Sequence, residues 1–136
     1  MLRTFSIFLF CAASLLAQTA ETIIYRTAML PSNEVPPIDI NASGAATIRA
    51  HVVRDASGQI VSGTVDFLVS YSFPTSVELT GLHIHRGAAG INGPVVINTG
   101  IGGAAGNIVS STGRGNIDRP VNITPADTTA LAALLS

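Results

Sequence analysis

Lysine and tryptophan are absent from the 136 residues, and cysteine occurs once. Charged residues make up 11% of the chain and aromatics 5%. That charged share is under half the roughly 25% of an ordinary soluble domain. Each scarcity excludes something. Seven Arg scattered among eight acids form no basic stripe, which argues against nucleic acid and anionic membrane surfaces as partners. Few aromatics argue against a sugar-stacking cleft. There is no Gly-x-Ser-x-Gly elbow, no phosphate loop and no dinucleotide fingerprint. Long apolar runs are equally scarce: the only one lies between Phe5 and Ala17.

That run reads as a secretory signal. Arg3 supplies a positive start, "FSIFLFCAASLL" the apolar core, and "LAQTA" small residues for cleavage near Ala17 to Ala20. It is shorter than the roughly 20 residues that span a bilayer. The expected organisation is a signal peptide at 1–17 and one β-sandwich domain at 18–136, secreted or periplasmic, with no membrane span once the signal is removed. Cys11 departs with the leader, so a thiol nucleophile is excluded and the domain enters an oxidising space without a disulfide. Its stability must come from packing. Without Arg3 the net charge is about −2.

What remains is rich in Ala, Val, Ile, Gly, Ser, Thr and Asn, and its hydrophobic period is mostly two, the period of strands. In "ATIRAHVVR", Ile48, Ala50 and Val52 share one face and Arg49, His51 and Val53 the other. In "GTVDFLVSY", Val65, Phe67, Val69 and Tyr71 alternate with Thr64, Asp66, Leu68 and Ser70. "RDASGQ" between them supplies a hairpin turn. Further strands are predicted at "ETIIYRTAML", "SVELTGLHIH", "GPVVINTG", "NIVSST" and "NIDRPVNI". Seven short strands with Gly, Asn and Pro turns predict an all-β antiparallel sandwich. One short helix is predicted at the C-terminal end, where Thr124 caps, Pro125 takes the first helical position, and Leu131, Leu134 and Leu135 form an apolar stripe.

Chemistry concentrates in "LHIHRGAAGINGPVV". His83 and His85 are two apart, so on a strand both imidazoles leave the same face, an arrangement able to share one copper or zinc ion. Gly87, Gly90 and Gly93 then shape a tight loop before Pro94. A structural zinc takes four ligands, and a catalytic one three plus water. The additional donors on offer are His51, Asp66 and Glu78. The competing reading is that the two His brace the loop through its backbone.

Two segments together resemble the CHRD domain, a module first described in chordin and widespread in bacterial secreted proteins. The first is "LPSNEVPP", with Asn33, Glu34, Val35, Pro36 and Pro37. The second is "HIHRGAAGINGPVV", with His83, His85, Gly87, Gly90, Gly93 and Pro94. The resemblance runs from about Thr22 to Leu135. It implies an immunoglobulin-like β-sandwich, loosely similar to copper/zinc superoxide dismutase, and no established enzyme activity. By that likeness His83 and His85 stand where two copper ligands would be. No His follows His85, so the full dismutase ligand set is absent. Members of the family usually continue past the terminal helix into a further strand carrying another His. This chain stops at Ser136, which reads as a short form or an incomplete frame.

The expected function is therefore a non-enzymatic, exported binding or structural module without a required cofactor. Its partner would be an extracellular or cell-envelope protein or a small ligand. The expected recognition surface combines the loop Arg86–Pro94 with "NEVPP", presenting Arg86, Asn92, Asn33 and Glu34, and Pro36-Pro37 would hold the second segment extended. The alternative is a copper- or zinc-binding protein using His83 and His85.

Overall fold

The computed structural model describes residues 18–88 and 90–135. The signal peptide expected at 1–17 lies outside the described residues. The chain forms an all-β fold with one short helix, in the order β1 (Thr19–Met29), β2 (Ser43–Arg54), β3 (Ile60–Ser72), β4 (Val77–Leu79), β5 (His83–His85), β6 (Val95–Asn98), β7 (Ile108–Ser110), β8 (Arg114–Ile123) and α1 (Thr128–Leu134).

One layer is a four-stranded antiparallel sheet in the order β1-β2-β3-β8. The β2–β3 turn falls where Asp, Ser and Gly suggest it. The Asp55 Oδ1 accepts hydrogen bonds from the Ser57 N–H at 2.8 Å, the Ser57 hydroxyl at 2.6 Å and the Gln59 N–H at 3.0 Å. These bonds, led by that from the Ser57 hydroxyl, hold the Asp55 carboxyl below its usual value. The turn sets a register in which Ala50 faces Ile23 on one side and Val65 on the other. Alternation then sends Ala46, Ala50, Val52, Val65, Phe67 and Val69 inward, all buried.

The opposite layer is two separate ribbons, β4 with β7 and β5 with β6. The predicted "SVELTGLHIH" strand is two strands, with Thr80–Leu82 outside either ladder and leading from one ribbon into the other. The core divides accordingly. One cluster joins Ala50, Val52, Val65 and Phe67 to Ile97, Ile123 and Leu131. A second joins Ala46, Val69, Ile101 and Ile117, with Tyr71, Leu79 and Leu82 packed around it.

Helix α1 closes the first cluster. Leu131 is fully buried, and Leu134 and Leu135 pack at the margin, as the stripe predicts. The helical entry differs from the expected cap. Pro125–Asp127 forms a 3-10 turn, and the Thr124 hydroxyl bonds the Asp127 carboxylate at 2.7 Å in place of a backbone N–H. Room for Leu131 comes from Gly63, where a Cβ would lie 2.6 Å from the Leu131 Cδ2 and 2.4 Å from the His51 carbonyl oxygen. No helix among the described residues is long and apolar enough to cross a membrane.

Candidate functional site

Three places bring together the residues that the sequence singles out. The first is β5. Ile84 turns inward onto the first core cluster, so His83 and His85 both face outward and are exposed. Their ring centroids are 4.7 Å apart, edge to face. The His85 Nδ1 lies 2.5 Å from the Gly93 carbonyl oxygen. A carbonyl only accepts, so the His85 Nδ1 carries a proton and Nε2 is the ring nitrogen that the loop does not engage. Partial burial and then the charge of His85 push the His83 pKa down. The Gly-rich loop makes this brace: a Cβ on Gly93 would lie 1.7 Å from the Arg86 carbonyl oxygen, an approach open only to glycine. The Arg86 N–H donates to the Pro94 carbonyl at 3.0 Å, closing the loop base.

The second place is the outer face of the four-stranded sheet. His51 bridges two strands: its Nε2 is 3.1 Å from Asp66 Oδ2, and its Nδ1 is 2.8 Å from Thr22 Oγ1. The Asp66 carboxylate only accepts, so Nε2 carries the proton in that bond, while Nδ1 pairs with the threonine hydroxyl. Glu78 is engaged elsewhere, accepting a hydrogen bond from Asn107. Hence neither His51, Asp66 nor Glu78 joins the His83/His85 pair. No group of three or more His, Cys, Asp or Glu converges among the described residues. A three- or four-ligand zinc centre, or a dismutase-like copper/zinc set, does not fit them.

The third place is a cavity of about 140 Å³ at the end of the sandwich, beside the second core cluster. Val69, Tyr71, Leu79 and Ile117 form its depth, and Met29, Ile38 and Ile40 its rim. Tyr71 and Phe73 pack edge to face at 6.2 Å. The "NEVPP" segment forms one wall, and its conformation corrects the extended run expected from Pro36-Pro37. Residues Pro31–Asn33 make a 3-10 turn, the Val35–Pro36 peptide is cis, and the Pro31 carbonyl accepts from the Glu34 and Ile38 N–H groups at 3.3 and 3.1 Å. The segment is thus a closed loop that places Glu34 on the cavity lining.

The loop Arg86–Pro94 is the second segment of the expected recognition surface. No described residue of that loop lines the cavity. From Leu82, which does, the chain passes through β5 to Arg86 four residues on, at most about 13 Å at roughly 3.3 Å per residue. Arg86 and Gly87 instead sit with His85, Val96 and Leu134, beside α1. Sequence reasoning misses the cavity because its lining comes from every quarter of the chain, from Met29 to Ile117. Only the alternation that turns Tyr71 inward hints at it.

An antiparallel sandwich whose two motifs build one end wall and one loop brace defines a β-sandwich module. The family model of the CHRD domain matches residues 25–136. The chain belongs to the CHRD domain family. No curated protein and no solved structure matches it.

Proposed function

We propose that this CHRD domain is an exported, non-enzymatic binding module whose ligand enters the apolar cavity walled by "NEVPP". The observation carrying the reading is that an opening of about 140 Å³ reaches from the surface to the second core cluster. A fully packed core leaves few voids larger than a water molecule, and apolar clefts with a few polar groups are the usual form of ligand sites. Export rests on the leader at 1–17, with the processed chain expected to begin near Gln18, in the periplasm or outside the cell. The titratable groups at β5, at His51–Asp66 and at Glu34 serve three separate places, which supports binding over catalysis.

The test is an NMR titration of the processed chain with 2-phenylethanol, a neutral probe. Saturable shifts at Met29, Tyr71 and Leu79 are expected, and Ala42→Phe, at a half-buried wall position, should abolish them. Uniform, unsaturable shifts would sink the reading.

One observation favours a second reading, copper or zinc binding at the histidine pair. The Gly93 carbonyl fixes the His85 tautomer and leaves Nε2 free, as an outer-shell partner does for a metal-bound imidazole. Two imidazoles alone would hold the ion. Calorimetric titration of the wild type against His83→Ala plus His85→Ala decides it. Equal weak binding by both proteins rejects the metal, whereas sub-micromolar binding lost in the double variant supports it.

A further inference from the structure

We infer that the cavity takes a small organic cation, a primary ammonium carried on a short aromatic or branched hydrocarbon tail. This rests on the reading of the cavity as a ligand site and adds the chemistry of its occupant. The size comes first. A void of about 140 Å³ is close to the roughly 150 Å³ that receives one benzene ring in a protein core. The walls come next: Met29, Ile40, Val69, Leu79 and Ile117 offer hydrocarbon and Tyr71 an aromatic side chain, which suits an apolar tail.

The charge decides the head group. Among the described lining residues Glu34 is the one carboxylic acid, and none is Arg or His. Its carboxylate makes no hydrogen bond or ion pair with any described residue, although its backbone N–H is used to close the loop. Asp39, between the lining residues Ile38 and Ile40, adds a second negative charge to the same segment. A carboxylate at the mouth of a low-dielectric opening attracts cations and repels anions. An anionic tail, such as a fatty acid, is therefore the wrong sign. A neutral tail would leave Glu34 without a role.

Three isosteric probes test the assignment on the processed chain: 2-phenylethylammonium, 2-phenylethanol and phenylacetate, followed by NMR at low and moderate salt. The ammonium should bind about three- to fivefold more tightly than the alcohol, the worth of one exposed ion pair, and phenylacetate more weakly than either. Glu34→Gln, on an exposed loop, should bring ammonium and alcohol to equal affinity while leaving the melting temperature unchanged. Added salt should shrink the ammonium's preference in the wild type. Equal binding of ammonium and alcohol by the wild type would overturn the cation assignment and leave the cavity reading intact. Absence of binding by all three probes would overturn both.

Discussion

At the scale of single residues, two side-chain decisions dominate. Gly63 is one: on β3, it is the point where the sheet lets a helix approach. An added methyl would meet a backbone carbonyl at 2.4 Å and the fully buried Leu131 at 2.6 Å, and a carbonyl within a ladder has little freedom to yield. Gly63→Ala is expected to cost about 2–3 kcal/mol through overpacking, a fall of roughly 8–12 °C in melting temperature for a domain of this size. An unchanged calorimetric transition would show that α1 simply shifts. His83 is the other. Its folded pKa is depressed, mainly by burial and then by the charge of His85, so the unfolded chain takes up the proton more readily. Stability is complete above about pH 6.5, the unfolded value, and declines as pH falls through the lower folded value. Thermal unfolding at pH 8, 6.5 and 5 should show this loss, and His83→Gln should make it smaller. An identical pH profile in the variant would refute the assignment.

At the scale of elements, the helix carries more than its length suggests. Seven residues are too few for an isolated helix in water, so α1 exists because Leu131 inserts between the sheet and the β5–β6 ribbon. Leu131→Ala should cost about 2–5 kcal/mol by opening a cavity in the first cluster. Denaturant unfolding with an unchanged slope would measure it, and a cost below 1 kcal/mol would mean that the helix contributes little. The elements were also what the sequence revealed best. The period of two in "ATIRAHVVR" and "GTVDFLVSY" gave both faces of β2 and β3 correctly, because one face is buried and any slip would expose it. The stripe of Leu131, Leu134 and Leu135 gave α1. "SVELTGLHIH" misled, since Val77, Leu79, Leu82 and Ile84 keep apolar residues on both sides of the break between β4 and β5. The β4 and β5 strands face different partners, and partner choice is a long-range property that local periodicity does not encode.

At the scale of the whole molecule, the site was less legible than the fold. "NEVPP" and "HIHRGAAGINGPVV" each mark a built segment: one walls a cavity and the other braces its own loop through Gly93 and His85. Proximity between segments so distant in sequence follows from the stacking of layers, for which two short motifs hold no ruler. Strand order β1-β2-β3-β8 has a further consequence, which lies in time. The β2–β3 hairpin closes across a short turn, and β1 joins it from the adjacent stretch, whereas β8 must return to β3 across the whole of Phe73–Gly113. Closing that long loop costs entropy before its contacts repay it. The first three strands are thus expected to lead and β8 to dock late, bringing Ile117 and Ile123 into a core already half assembled. Stopped-flow kinetics should then find Val52→Ala slowing folding and Ile123→Val mainly hastening unfolding; the reverse pattern would mean that the chain begins its fold from the far end.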